Sequence, residues 1–530
     1  MSTVPRGPTG SALVRLPEFG PFDELSDIAH QFYIDGFAQR ALAACRQWRP
    51  LTEAAGDLQT TRYLVYIEGI ALQELGRHEE AALVASGLVA SLGENLEPVW
   101  RAKGLAMVAE SCTRIGELGR AMASIAEADW LIGSIRPGTY GHLSASMAVA
   151  LALRSLNLFE QADELLRGSL GNRDPHIELL VLQELALLSA YWGTTLGLIG
   201  ESAEAGHHYR LVAERALAMQ RAAEASGNEL MAARGVAIEA YATMRLGEVQ
   251  LAGARAAEAA EVFGARAELL ETHLVHLVLG RAATERGSHY EARVHLTAAG
   301  AAADAARREI WSAAAMEALA EADVAERGEH PAVGIWRSVA RTALARVWAE
   351  REGRFAALQD RNHMRELTAE TDRMGRAVLQ DPLTGLGNRR LLVRSVESAL
   401  EALSVVFVDV DDFKVVNDGF SHAVGDEVLR RIADVLRSHC RVEDVLVRYG
   451  GDEFVILTSG GPAAAEAMAH RVHEAVRAAP WHEVADGLAI TVSIGVGHSS
   501  GESHNPLAAA DSALGAAKRA GRDRVVRGVV

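Results

Sequence analysis

The amino-acid sequence predicts a multidomain chain: an all-α solenoid of helical hairpins, then an α+β sandwich of the ferredoxin-like type. Three observations carry this expectation. Up to about residue 350 the chain is rich in Ala, Leu and Glu, with apolar positions recurring at helical spacing. Within that stretch a turn signal returns at a step of roughly 40 residues, as stacked hairpins require. From Asp381 onward, strand-like apolar runs alternate with amphipathic helices in the order β-α-β-β-α-β.

A length of 530 residues exceeds what one core serves. The expected boundaries are a flexible N-terminus over residues 1–25, hairpin repeats over 26–335, a helical stalk over 336–380 and the α+β domain over 381–530. A formal net charge of −17 argues against nucleic acid or anionic lipid as a partner, so an anionic ligand must be held by local groups. The three cysteines, Cys45, Cys112 and Cys440, are too few and too scattered for a disulfide framework or a zinc pattern. The first residues lack a continuous apolar signal segment, and no apolar run reads as membrane-spanning. A cytoplasmic protein without membrane insertion is the expectation.

The recurring turns fall around Gly76, Gly116, Asn157, Gly197, Gly247, Gly287 and Gly328. Gly or Asn there suits the left-handed residue that closes the first helix of a hairpin. The wide interval between Gly197 and Gly247 leaves room for a longer helix or loop. In "GIALQELGRHEEA", Gly69 and Ala81 sit where paired helices approach closely, and the segment resembles a tetratricopeptide repeat. That resemblance implies an extended concave face and a protein or peptide ligand. Trp48, Trp100, Trp130, Trp192 and Trp311 read as packing between helices. Beyond the repeats, Leu344, Val347 or Trp348, Arg351, Phe355 and Leu358 keep a three-four spacing, which Met364, Leu367, Thr371, Met374 and Val378 resume after a slip. This seam suits a coiled coil or packing against the repeats. Asp381-Pro382 then stops the helix.

In the α+β part, "LSVVFVDVDDF" is a buried strand running into carboxylates, and "RYGGDEFVIL" reads as a hairpin whose Gly-Gly supplies a two-residue turn. Helices are expected on one face of the sheet. The end of the first strand and the hairpin tip would then be neighbours, which brings Asp409 beside Asp452, with Asp411, Asp412 and Glu453 near them. Adjacent carboxylates repel unless a cation joins them. An oxygen-rich set of this kind suits magnesium, which completes its shell with water and substrate phosphates. Glycines at the tip leave room for a phosphate, so a nucleoside triphosphate is the expected guest.

The segment from Asp381 onward carries, in order, "DPLTGLGNRR", "FVDVDDFKVVND", "HAVGDEVL", "RYGGDEF", "ITVSIGVG" and "ADSALGAAKRAGR". It resembles a GGDEF-family diguanylate cyclase domain. The resemblance implies condensation of two GTP into cyclic di-GMP with loss of two pyrophosphates, each 3′-hydroxyl attacking the other nucleotide's α-phosphate. Carried over by position, Asp409, the Val410 carbonyl and Asp452 would bind two Mg2+ or Mn2+ ions per active site. Asp452 would accept the 3′-hydroxyl proton with Glu453 beside it, and Lys414 would stabilise charge. Asn417 and Asp426 would read guanine, Lys518 and Arg522 would hold the β- and γ-phosphates, and Gly450 and Gly451 would line the nucleotide. Lys518 and Arg522 read as one helical turn apart at a helix C-terminus. Ser421, where the family usually has glycine, is a departure.

"RVED", Arg441 to Asp444, stands where the family places a product-binding inhibitory site. Arginine's planar fork suits phosphate oxygens and a guanine edge. Because each domain would supply one GTP, the resemblance implies a homodimer, with the stalk or the repeats as its agent and repeat ligands as regulators. A catalytically idle receptor for GTP or cyclic di-GMP is the alternative from another class.

Overall fold

Hairpin closure in the N-terminal part rests on backbone geometry that few residues adopt. Gly76, Gly116, Gly247 and Gly287 have φ of 71°, 83°, 105° and 74°, and Asn157 has 61°. At each, the next N–H reaches back five residues, as from Arg77 to Leu72 O at 2.9 Å and from Glu117 to Cys112 O at 2.8 Å. Carbonyls left over at the helix end are thereby satisfied. The computed structural model describes residues 21–92, 97–171, 175–264, 266, 268–397, 403–498 and 505–528, so most of the expected flexible N-terminus lies outside the described residues.

Helical hairpins follow one another from Asp23 to Arg327. The turn expected at Gly197 falls instead at Gly200, φ 97°, because Gly197 lies inside the helix Pro175–Ile199. That helix has 25 residues and its partner, Ser202–Ala225, has 24, which accounts for the wide interval. Gly197 is small for another reason: a Cβ there would meet Arg245 Nη2 at 2.7 Å. Pro175–Ile199 is also long and apolar enough to span a membrane by length and composition, contrary to the sequence expectation, but 78% of its most apolar stretch is buried in the array.

The array does not stay open. Arg266 Nε donates to Asp35 O at 3.0 Å and Arg234 Nη1 to Ile34 O at 3.1 Å. Gly36 packs against Leu269, and Gly76 against the Ala305 carbonyl. Arg308 pairs with Glu74 at 2.5 Å, Arg307 with Glu79 at 2.9 Å and Arg114 with Glu309 at 2.6 Å. The first hairpins therefore meet the last, and the extended concave face expected for a solenoid is replaced by a closed interior. Trp311 is buried against Tyr191 and Tyr241, and Trp192 stacks on His208, whereas Trp130 is exposed rather than packed.

A single helix, Pro331–Leu379, follows the array. The chain divides into two compact units, residues 1–364 and 365–530. The first part of the helix belongs to the array: Leu358 is buried in its core, Trp348 packs on Phe159, and Arg354 Nε donates to Leu156 O at 2.9 Å. In the second seam Met364, Leu367 and Val378 are exposed to solvent, while the Met374 side chain lies outside the described ones.

The second unit is built on a five-stranded sheet. Its strands are β1 (Ser404–Val410), β2 (Val445–Arg448), β3 (Glu453–Thr458), β4 (Val492–His498) and β5 (Val525–Arg527), in the order β2-β3-β1-β4-β5. Neighbours pair antiparallel except β4 with β5. The first four keep the ferredoxin-like order, but helices cover both faces, not one. Val406, Val408 and Val410 face His422–His439 and Pro462–Ala478, while Val405 and Phe407 face Arg389–Glu397 and Pro506–Arg519. This is why β1 is buried along its whole length and carries the continuous apolar run 405–408 rather than an alternating pattern.

Candidate active site

Strand register builds the site. Asp409, next to last in β1, lies directly opposite Glu453 at the start of β3, and Val410 N donates to Asp452 O at 3.1 Å. The sheet thus brings the Asp409 and Asp452 backbones together. Asp409 shares its face with Val405 and Phe407, the face against which the helix Pro506–Arg519 lies. Two glycines of β4 allow that helix its close approach: a Cβ on Gly495 would collide with the Ala510 carbonyl, and one on Gly497 with the Pro506 carbonyl. Asn505 caps the helix by accepting from Leu507 N and Ala508 N. Seated there, Lys518 Nζ donates to Asp409 Oδ2 at 2.6 Å.

Burial pushes the Asp409 carboxyl up to about 6, with Asp452 and Glu453 adding to the rise and Lys518 opposing it. A buried carboxylate in the field of two others is short of positive charge, which fits a hard divalent cation. Among the described residues no group of three or more His, Cys, Asp or Glu is clustered tightly enough to enclose a metal unaided. The oxygen donors here suit an ion that takes much of its shell from water and phosphate.

The hairpin tip differs from the sequence reading. Tyr449 N donates to Glu453 O at 2.8 Å, so the turn is Gly450, Gly451 and Asp452, three residues and not two. Neither glycine adopts the left-handed region. A Cβ on Gly450 would meet Glu453 Oε2 at 2.7 Å and displace that carboxylate, whereas Gly451 has nothing within 4 Å. The tip is braced by a residue that sequence reasoning missed. Arg448 donates through Nη2 to Gly451 O at 2.7 Å and through Nη1 to Asp381 at 3.2 Å. Asp381 in turn accepts from Thr384 N and Oγ1 at 2.9 and 2.7 Å. Burial works against its ionisation, but the Thr384 hydrogen bonds and Arg448 together hold Asp381 below the usual carboxylate range. A lone arginine ending an otherwise apolar strand was the available signal.

Asp411 does not join the carboxylate group. It accepts from Thr491 Oγ1 at 2.8 Å, Ser493 Oγ at 2.6 Å and Asp523 N at 3.0 Å, which fastens the end of β1 to β4 and to the turn before β5. Arg522 lies in that turn with φ 61°, beyond the helix that ends at Arg519, and not one helical turn after Lys518 as expected. Its Nε stands 3.6 Å from Asp412 Oδ1.

Lys414 and Asn417 lie on the helix Phe413–Gly419, Lys414 exposed and Asn417 half-buried. A Cβ on Gly425 would collide with the Asn417 amide oxygen, so that glycine lets Asn417 sit beside the first turn of His422–His439, where Asp426 is exposed. Ser421, extended at φ 176°, caps this helix by accepting from Val424 N at 3.2 Å, a role glycine lacks.

Away from the tip, Asp444 accepts from Arg441 N at 2.8 Å and closes its own turn. The Arg441 guanidinium takes no part in that bond and is 73% exposed.

Part of the chain is similar to known proteins. Residues 378–524 match the family described as "Diguanylate cyclase, GGDEF domain". Diguanylate cyclase DgcP of Pseudomonas aeruginosa is 37% identical over 193 residues, covering 33% of this chain and 28% of that protein. Response regulator PleD of Caulobacter vibrioides is 40% identical over 161 residues, 28% of this chain and 35% of that one. The chain thus spans about a third of the length of these relatives. Among solved structures, the coiled coil and GGDEF domain of DgcB from Caulobacter crescentus in complex with c-di-GMP is 26% identical, with TM-score 0.30, covering 34% of this chain and 99% of that one. The segment spanning residues 378–524 is a GGDEF domain.

Proposed function

We propose that this protein is a diguanylate cyclase, condensing two GTP into cyclic di-GMP and two pyrophosphates. The observation that carries the reading is the junction of Asp409, Asp452 and Lys518 at one end of the sheet, two carboxylates and the cation that contacts one of them. Bound divalent ions, two per site in this reading, would make the 3′-hydroxyl more acidic and offset phosphate charge. Asp409, the Val410 carbonyl and Asp452 hold them, and Asp452 takes the proton with Glu453 beside it. Lys414, Lys518 and Arg522 oppose the charge that grows on the phosphates. Gly450 and Gly451 leave the hairpin tip open to the nucleotide. Asp426 accepts from guanine's ring N–H and exocyclic amine, and the Asn417 amide also reads the base; adenine lacks the N–H pair that Asp426 needs, so GTP is preferred over ATP.

Each domain holds one GTP, so the reaction proceeds in a homodimer. Product returning to Arg441 and Asp444 restrains it, a reading supported by the exposed Arg441 guanidinium. The repeats regulate turnover, and the protein works in the cytoplasm. The test is purified full-length protein with GTP and Mg2+, product resolved by chromatography, beside Asp452→Ala. Cyclic di-GMP from the wild type alone supports the cyclase; no product from a dimer that binds GTP favours the idle receptor.

A further inference from the structure

The helical array holds a cavity of about 230 Å3, partly open to solvent and lined from hairpins at both ends of the array. Its arginines are matched: Arg154 pairs with Glu184 at 2.7 Å, Arg308 with Glu74 at 2.5 Å and Arg234 with Glu271 at 3.1 Å. Lys103 is different. It is 2% exposed and lines the same cavity, yet its ammonium meets only aromatic faces, 3.9 Å from the Tyr66 ring centre, 4.7 Å from Tyr63 and 4.8 Å from Trp100. Among the described residues no carboxylate forms an ion pair with it. A buried cation is strongly disfavoured without an anion, and ring faces replace only part of its hydration. Burial draws the Lys103 pKa down to about 7, which expresses the same shortage.

We propose that this cavity binds a small organic monocarboxylate, its anion on Lys103 and its apolar body between Tyr33, Tyr66, Ile70 and Met107. Size and charge select this class. The volume exceeds that of a cavity known to hold benzene, roughly 150 Å3, and falls short of drug-sized pockets, which begin near about 300 Å3. Glu110, two helical turns beyond Lys103 on Pro98–Arg114, also lines the space, while Glu74 and Glu184 are neutralised by Arg308 and Arg154, so a dianionic phosphate meets more repulsion from Glu110 than a single carboxylate does. His30, held neutral by burial and by Lys103, adds no competing charge. Because the first hairpins meet the last, this interior admits a small molecule rather than an extended peptide. Binding by the array does not rest on the cyclase reading.

The test uses the full chain with phenylacetate and hexanoate, each beside its amide, in calorimetric titration and thermal unfolding. Expected are binding of at least one acid with a raised melting temperature, its amide weaker by about tenfold or more, and loss of that discrimination in Lys103→Met. Lys103→Met without ligand is expected to melt above the wild type, since it removes the unmatched cation. Equal affinity for acid and amide, undiminished acid binding in Lys103→Met, or no binding of either acid overturns the proposal. The acid and amide comparison on the wild type decides the matter if the variant does not fold.

Discussion

Lys518 donates to Asp409 across 2.6 Å, so the group assigned to phosphate and the group assigned to metal touch each other. The contact holds a cation where nucleotide phosphates are expected. Lys518→Met is expected to raise the KM for GTP by about tenfold, the worth of a charge-assisted hydrogen bond, with a smaller change in kcat. Initial rates of cyclic di-GMP formation check this, and an unchanged KM would remove Lys518 from nucleotide binding.

Arg448 spans the hairpin tip and Asp381 at once, which requires a planar fork. Arg448→Lys retains the charge but not both contacts. Turnover is expected to fall by about tenfold or more as Asp452 loses its fixed position, with circular dichroism unchanged. Wild-type turnover in this variant would show that the brace is dispensable.

Gly495 and Gly451 separate packing from access. Gly495→Ala forces a Cβ into the Ala510 carbonyl and should destabilise the C-terminal unit by about 1–3 kcal/mol in urea unfolding. Gly451→Ala meets nothing within 4 Å and should stay within about 0.5 kcal/mol of wild type. Equal losses at the two positions would contradict the packing of Pro506–Arg519 on β4.

Two buried histidines and one half-buried one make the array sensitive to acid. Burial is the main cause that lowers His30, His78 and His208 to about 4 from 6.5. Between those values the unfolded chain binds protons that the folded chain refuses, so the stability present above pH 6.5 is lost as pH falls toward 4. The melting temperature of the array should decline across that window, with a shallower slope in His78→Gln. A flat profile would mean that these rings are solvated.

Hairpin caps and site motifs were legible because their signals are local. A left-handed residue favours Gly or Asn, and β1 carries its carboxylates at its own end, so Gly76, Asn157 and Asp409 stood out. Contacts between distant segments left no such trace. Arg266 and Asp35 are 231 positions apart, and neither is unusual for an exposed helix end, so the meeting of the array's ends was not readable. Lys103 in "VWRAKGLAM" reads as an ordinary polar position on a helix, since nothing nearby in sequence says that Tyr63 and Tyr66, from another helix, join Trp100 around it. The unbroken apolar run of β1 did contain the second helical layer, but a run buried on both faces looks the same whichever helices cover it.

The seam where Asp35 and Glu74 meet Arg266 and Arg308 makes the helical array a loop of fixed circumference. An open stack gains or loses a hairpin at its end and leaves the rest intact. Here the removal of one hairpin would leave Leu269 uncovered and those guanidinium groups without partners on the opposite side. The whole circle is therefore the unit that evolution can copy or discard. Joining the array's ends and cutting it at another turn between hairpins should preserve it where deletion would not.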